Sequence, residues 1–353
     1  MRAASSTSPP PAGGPATVSG RCARLHPGNL RCEGIPHAVC AAAADILISE
    51  FMDEEAVEAL RSDFAVRYEP GLAQARGDLL TAVGAVRALI VRNVTQVDRE
   101  LLDAAPALEV VGRLGVGLDN IDLEACAERG VAVFPATGAN AVSVAEYVLA
   151  AMLQLWRPVY GATARVAAGE WPRQELGGRE LAGSRLGLIG LGSVARTVAE
   201  RASALGMSIA AYDPYITPDD PAWERAERFE ALPELLRSSD AVSIHVPLTD
   251  STRGLIDGEA LALLPPHALL INTSRGGIVD EQALVAALRA GRLGGAALDV
   301  FADEPLDAAG GARFEGAPNL LLTPHIAGIT EESNRRVSLV TAQNVSRALR
   351  GEG

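Results

Sequence analysis

Short apolar runs separated by amphipathic stretches recur along most of the chain. Asp45-Ile46-Leu47-Ile48-Ser49, Ala88-Leu89-Ile90-Val91 and Leu108-Glu109-Val110-Val111 are too short for buried helices and read as strands. Asp53 to Arg61 between the first two reads as a helix. The same alternation resumes later, with strand-like runs near Leu186, at Met207 to Tyr212, Ala241 to Val246, Ala268 to Asn272, Ala296 to Val300 and Leu320 to Thr323. A helix over about Val142 to Trp156 follows the loop Pro135-Ala136-Thr137-Gly138-Ala139-Asn140, which reads as a hinge. Another, from Glu331 to about Leu349, closes the chain. Strands alternating with helices predict an α/β protein built on parallel, doubly wound sheets. Residues 45–140 and 141–323 each hold enough units for a sheet of their own, so two domains are expected with a ligand cleft between them, the first completed by residues 324–353.

The first 44 residues break this pattern. Ser5 to Pro15 is rich in serine, proline and glycine, and nothing before Ala41 is periodic, so residues 1–44 are expected to be a disordered tail or a misassigned start. No apolar run reaches membrane-spanning length, and no signal-peptide pattern is present.

Composition narrows the chemistry. A net charge of −13 argues against nucleic acid or an anionic membrane as partner, while local arginines can still hold a small anion. All 31 basic residues are arginine, which excludes lysine Schiff-base chemistry and a P-loop lysine. Cys22, Cys32, Cys40 and Cys126 form no C-x-x-C pair and read as incidental thiols of a reducing cytoplasm, with no metal site.

One segment carries a specific signal. In Leu186-Gly187-Leu188-Ile189-Gly190-Leu191-Gly192-Ser193-Val194-Ala195 an apolar strand turns on glycines into a potential helix. Gly190 permits the turn, Gly192 lets a pyrophosphate approach the backbone, and Ala195 is small enough for the helix to pack on the strand. The new helix would aim its unpaired N–H groups at the phosphates. The next strand ends at Asp213, 21 residues after Gly192, where a carboxylate can accept from a ribose 2′-hydroxyl and repel a 2′-phosphate. Pro214, Tyr215 and Ile216 follow, with no arginine for such a phosphate. The cofactor is therefore read as NAD. A second glycine run, Gly112-Arg113-Leu114-Gly115-Val116-Gly117, leads into Asp119 and Asp122, whose charges disfavour a pyrophosphate; it reads as a tight loop offering N–H groups to a smaller anion.

Three later segments place polar residues at strand ends: Asn272-Thr273-Ser274-Arg275-Gly276-Gly277, Asp299 to Pro305, and Thr323-Pro324-His325. They offer an arginine, a carboxylate and a histidine. Oxidising an alcohol with NAD needs a base for the hydroxyl proton and a cation to orient an acidic substrate, and a carboxylate can fix the imidazole tautomer. Taken singly, each residue is equally an ordinary ion pair, helix-flank acid or loop histidine.

Taken together with Tyr212-Asp213-Pro214 and His245-Val246-Pro247-Leu248, these residues resemble the D-isomer-specific 2-hydroxyacid dehydrogenase family, from about Asp45 to the C-terminus. The spacings suit it: 29 residues from Arg275 to Glu304 and 21 from Glu304 to His325. Ala195 in place of a third glycine is a mild departure. The resemblance implies a Rossmann NAD-binding domain and a flavodoxin-like substrate domain. It implies His325 as acid/base, Glu304 as its partner and Arg275 as the substrate-carboxylate ligand. It implies that Ser193 and Val194 offer N–H groups to the pyrophosphate, that Val246, Thr273 and Ser274 line the cofactor cleft, and that Asp299 faces the nicotinamide amide. Val116 and Gly117 would offer N–H groups to the substrate carboxylate, and His245 would line the adenine side. His26, His37 and His267 show no partner pattern.

Ile48 to Glu54 and Val91 to Val97 are similar to sulfolactate dehydrogenases within a phosphoglycerate-dehydrogenase-like branch. This implies (S)-sulfolactate and sulfopyruvate as the leading substrate pair, with D-3-phosphoglycerate, or hydroxypyruvate and glyoxylate, as alternatives. Arg92 and Arg113 are the candidates for a second anionic group. The chain ends 28 residues after His325, which is expected to leave no room for the regulatory domain of long phosphoglycerate dehydrogenases. The resemblance also implies a homodimer. It admits a different class, an NAD-sensing corepressor without turnover, which a keto-acid assay would separate.

Overall fold

The computed structural model describes residues 44–352, so the reading of residues 1–43 as a tail lies outside the described residues. Two wholly parallel sheets organise the rest. The first contains β1 (Ile46–Ile48), β2 (Val66–Tyr68), β3 (Ala88–Val91), β4 (Val110–Arg113) and β5 (Ala132–Pro135), in the order β2-β1-β3-β4-β5. This is the flavodoxin-like order, with its switch point between β1 and β3. The second contains β6 (Arg185–Ile189), β7 (Ser208–Tyr212), β8 (Glu227–Arg228), β9 (Ala241–Ile244), β10 (Leu269–Asn272), β11 (Gly295–Leu298) and β12 (Leu320–Leu322). Its order, β12-β11-β10-β9-β6-β7-β8, is the Rossmann order extended by one strand, with the switch point between β6 and β9.

The central strands are apolar on both faces because helices cover both sides; β1, β3, β9, β10 and β11 are buried at every position. Each sheet accordingly has two cores. In the seven-stranded sheet, one face packs on the helices Ala141–Trp156 and Ser193–Ala204, through Val144, Val148, Met152, Leu186 and Leu188. The other face packs on Leu235, Leu261, Leu284 and Leu288. In the five-stranded sheet, Leu47, Leu89 and Val111 face one layer of helices. Ile46, Ile48 and Ile90 face the helix Glu54–Arg61 and the returning helix Glu331–Leu349, through Val57, Leu60, Val345 and Leu349. The C-terminal helix thus packs on the first sheet, although it follows the last strand of the second.

The strand at Leu108–Val111 needs correction. Leu108 lies in a turn, its N–H bonded to Ala105 O, and pairing with β3 starts at Val110 and runs to Arg113. Two residues of offset carry Arg113 to the strand's carboxyl end, where open α/β sheets place their ligands.

Candidate active site

The glycine turn has the form the fingerprint requires. Gly190 sits at φ +86°, and a Cβ there would stand 2.8 Å from His245 O and Val246 Cγ1, so the turn is closed to any larger residue. Gly192 occupies the N-cap of the helix Ser193–Ala204, and a Cβ there would point into open space. Ser193 and Val194 are the first residues of that helix, so their N–H groups have no intrahelical partners. Asp213 follows β7; one carboxylate oxygen accepts from Leu191 N at 2.9 Å and the other from Tyr215 N at 3.0 Å. Two of its roughly four acceptor positions remain for a ribose hydroxyl.

Opposite the turn, Val246 follows β9, and Thr273 and Ser274 follow β10. Asn272, fully buried, shapes the second loop: its amide donates to Arg275 O at 2.9 Å and its oxygen accepts from Ser274 N at 3.0 Å. The His245 ring nitrogen Nε2 and Thr273 Oγ1 are buried without a protein partner. Burial alone pushes the His245 imidazole down to about 4, so the ring is neutral and unsuited to proton exchange near neutrality. Open space at a helix N-terminus, a strand-end acid and orphaned polar atoms around one switch point fit a dinucleotide.

The proposed proton-transfer pair is assembled on adjacent strand ends. His325 Nδ1 lies 2.7 Å from Glu304 Oε2, and Glu304 Oε1 accepts from Phe301 N at 2.9 Å. With Nδ1 donating to the carboxylate, Nε2 is left to exchange a proton. His325 sits at φ +53°, a backbone form that a bulky side chain seldom adopts. Asp299 holds that turn in place. It is 1% exposed; one oxygen accepts from Ile326 N (2.8 Å) and Thr323 Oγ1 (2.6 Å), the other from Ala327 N (2.8 Å). Tyr147 bonds Thr323 Oγ1 at 2.6 Å, and burial pushes its phenol upward. Asp299 therefore anchors the histidine turn, a task the sequence reading did not assign to it.

Arg275 leaves the loop after β10 and reaches the first sheet. A Cβ on Gly117 would stand 1.6 Å from its Nη2, and a Cβ on Gly115 would stand 1.5 Å from Arg113 Nη1. The two glycines are thus the empty positions that the two guanidiniums fill, and exposed Val116 lies between them. Arg113 Nη1 donates to Leu114 O at 2.9 Å, while its Nε is buried without a partner. Burial, then the neighbouring cations Arg275 and Arg92, push Arg113 down to about 10. Arg92 directly follows β3 and donates from Nη2 to Asn334 Oδ1 at 2.8 Å. Three arginines converge here against two carboxylates, Glu50 and Asp119. The cluster carries an excess of positive charge over these two carboxylates.

Glu50, Asn334 and Tyr147 were not singled out in the sequence, and Asp119 only as a charge that disfavours a pyrophosphate. Glu50 follows β1 at the switch point and accepts four backbone N–H bonds, from Arg92 (2.8 Å), Asn93 (3.1 Å), Val94 (3.1 Å) and Thr95 (2.9 Å). It fixes the loop that carries Arg92. Only its place directly after a buried strand offered a signal.

A dinucleotide turn, a carboxylate-oriented histidine and a cluster of three arginines, all at the carboxyl ends of two parallel sheets, point to a nicotinamide-dependent dehydrogenase of acidic substrates. Comparison with known proteins agrees. A family model described as "D-isomer specific 2-hydroxyacid dehydrogenase, NAD binding domain" matches residues 149–327. The chain is 58% identical over 306 residues to the (S)-sulfolactate dehydrogenase of Chromohalobacter salexigens, covering 87% of this chain and 98% of that protein. It is 38% identical to the D-3-phosphoglycerate dehydrogenase of Methanocaldococcus jannaschii, covering 87% of this chain but 58% of that longer protein. Among solved structures, a protein from Thermus thermophilus superposes with a TM-score of 0.77 at 35% identity, covering 87% of this chain and 97% of the other. The chain belongs to the D-isomer-specific 2-hydroxyacid dehydrogenase family. It is an NAD-dependent oxidoreductase acting on the CH–OH group of a 2-hydroxy acid.

Proposed function

We propose that the protein interconverts (S)-sulfolactate and sulfopyruvate, with His325 as acid/base, Glu304 as its orienting partner and Arg275 as the ligand of the substrate carboxylate. The observation that carries the substrate is the meeting of Arg92, Arg113 and Arg275, with Arg113 Nε buried and unpaired, beside a loop whose glycines leave room for the guanidiniums. A buried guanidinium N–H without an acceptor is a cost that a second anionic group on the substrate would relieve. In the oxidative direction His325 Nε2 takes the hydroxyl proton while Glu304 accepts from Nδ1 and steadies the positive ring. Arg275 holds the carboxylate together with the Val116 and Gly117 N–H groups, and Arg92 and Arg113 receive the sulfonate. NAD, when bound, supplies the hydride acceptor; Gly190, Gly192, Ser193 and Val194 would cradle its phosphates, Asp213 its ribose, Val246, Thr273 and Ser274 would line its cleft, and Asp299 would face its nicotinamide amide. In this reading residues 45–140 with 324–353 form the substrate half and residues 141–323 the cofactor half.

The test is NADH turnover with sulfopyruvate, phosphohydroxypyruvate, hydroxypyruvate and glyoxylate. Sulfopyruvate should give the highest kcat/KM. Arg92→Ala and Arg113→Ala should show which arginine holds the sulfonate: losing charge-assisted bonds of about 1.5–3 kcal/mol each should raise KM about tenfold or more for the dianion and much less for glyoxylate. Preference for glyoxylate over both dianions would end the substrate reading. D-3-phosphoglycerate is the second reading, favoured by the 38% identical relative, since a phosphate could occupy the same arginines.

Self-association as a homodimer belongs to the same proposal. Tyr160, Val166 and Trp171 are exposed apolar side chains within one short segment, Trp171 at 79%. A molar mass from light scattering twice that of the chain would support pairing. The reading also takes the enzyme to be cytoplasmic; among the described residues no helix is long and apolar enough to cross a membrane.

A further inference from the structure

One ion pair bridges the two sheets at the candidate site. Asp119 lies in the loop after β4 and Arg275 in the loop after β10, 156 residues later. Arg275 Nε donates to Asp119 Oδ1 at 3.1 Å and Oδ2 at 3.0 Å, and Nη2 stands 2.9 Å from Oδ2. Nη1 donates to Ser274 O at 2.6 Å. Among the described residues, the Asp119 carboxylate bonds no other side chain. It caps no helix either; that task falls to Asp122, three residues on.

Counting donors shows what this pair leaves free. A guanidinium has five N–H bonds: one on Nε and two on each terminal nitrogen. Asp119 takes the Nε hydrogen, shared between its two oxygens, and stands against Nη2 as an ion pair along the side-on edge, while Ser274 takes one hydrogen on Nη1. At least one N–H remains on each terminal nitrogen, enough for the end-on fork that matches a carboxylate bidentately.

We propose that Asp119 is a positioning residue that grips the side-on edge of Arg275 and presents its end-on fork to the substrate carboxylate. The proposal rests on the reading of Arg275 as the carboxylate ligand. The loop is shaped for this contact, since a Cβ on Gly117 would stand 1.6 Å from Nη2 and 2.8 Å from Asp119 Oδ2. Burial raises the Asp119 carboxyl, but the hydrogen bond and charge of Arg275, its own backbone N–H and the charge of Arg113 together outweigh burial and hold the group below the usual carboxylate range, so it is ionised at working pH.

The opposing account makes Asp119 a placeholder that the substrate displaces. The two accounts predict different kinetics. Asp119 offsets part of the positive charge of Arg92, Arg113 and Arg275, so neutralising it cannot weaken anion attraction. Under the positioning account, Asp119→Asn loses the alignment of the fork: kcat falls about tenfold or more, because small misplacements at the reacting centre are costly, while KM does not rise. Under the placeholder account KM falls and kcat holds.

The experiment uses full-length Asp119→Asn, Asp119→Glu and Arg275→Ala, with steady-state rates on the 2-keto acid that wild type uses best and NADH affinity from fluorescence titration. The expected result is a kcat loss in Asp119→Asn without a KM increase, recovery of most of kcat in Asp119→Glu, and unchanged NADH affinity in both. Unchanged kcat in Asp119→Asn, or a parallel loss of kcat, NADH affinity and unfolding temperature, overturns the proposal. Wild-type rates in Arg275→Ala would remove the carboxylate assignment and this proposal together. A dead Arg275→Ala beside a normal Asp119→Asn removes this proposal alone.

Discussion

Glu50→Gln removes one charge and exchanges one oxygen for an NH2 group, and four backbone bonds decide its effect. Glu50 is 5% exposed; Oε1 accepts from Arg92 N and Thr95 N, and Oε2 from Asn93 N and Val94 N. Glutamine can keep one pair through its oxygen. The other pair then faces an NH2 group, donor against donor. Two hydrogen bonds to a charged acceptor are lost, each worth about 1.5–3 kcal/mol, so the loop should open more easily by about 3 kcal/mol or more. Because 1.4 kcal/mol is tenfold, that is about a hundredfold change in the opening equilibrium. Native-state amide hydrogen exchange reads it directly: amides 93–95 should exchange about a hundredfold faster in the variant, with amides of β3 unaffected. The pH dependence has a definite sign. Burial raises the Glu50 carboxyl, but the bonds from Thr95, Arg92, Val94 and Asn93 outweigh it and hold the folded value below the ordinary one. The stability it contributes is complete above the unfolded value of about 4.3 and is lost as pH falls through the folded value. Wild type should therefore lose loop protection in acid below about pH 4, and Glu50→Gln should lack that dependence. Exchange at 93–95 within about threefold of wild type at neutral pH would refute the reasoning.

Other outcomes follow from the same geometry. His325→Ala should lower kcat by roughly 10²–10⁴, the range for losing a general acid/base, and a kcat within threefold of wild type would assign the proton elsewhere. NADH should be strongly preferred to NADPH, and Asp213→Ala should narrow the ratio of kcat/KM; equal values in wild type would remove Asp213 from cofactor choice. Gly117→Ala should depress kcat sharply at unchanged NADH affinity, because its Cβ would occupy the place of Arg275 Nη2. A chain beginning near Ala42 should fold and turn over normally, and aggregation would make residues 1–41 structural.

The sequence disclosed the elements that are apolar on both faces. β1, β3, β6, β9, β10 and β11 are central strands and read as continuous apolar runs. β2, β5 and β8 are edge strands that lack the apolar run by which the edge strand β12 is read: Val66-Arg67-Tyr68 is half-buried, Ala132–Pro135 ends in proline, and β8 has two residues. The glycine turn was legible because its chemistry is local. The strand-end places of Arg275, Glu304 and His325 were legible, while the roles proposed for them came from the family resemblance. Asp119 and Glu50 were not legible, because their meaning comes from partners 156 and 42 or more residues away. Tyr147 reads as a helix-face aromatic until the fold places it on Thr323.

The anchoring of the His325 turn by Asp299 has an evolutionary side. Asp299, Thr323, Glu304, His325 and Arg275 all emerge from β10, β11, β12 or the loops beyond them, so the groups proposed to react ride on one sheet. Arg92, Arg113 and the 115–117 loop ride on the other. Under the proposed function, reactivity and substrate choice are thereby encoded in separable stretches of gene. Recombination or drift within the stretch from β1 to β5 can exchange one second anion for another while the proton relay and its strained histidine turn are inherited intact. One scaffold can in this way seed a lineage of enzymes that share a reaction and differ in the acid they accept.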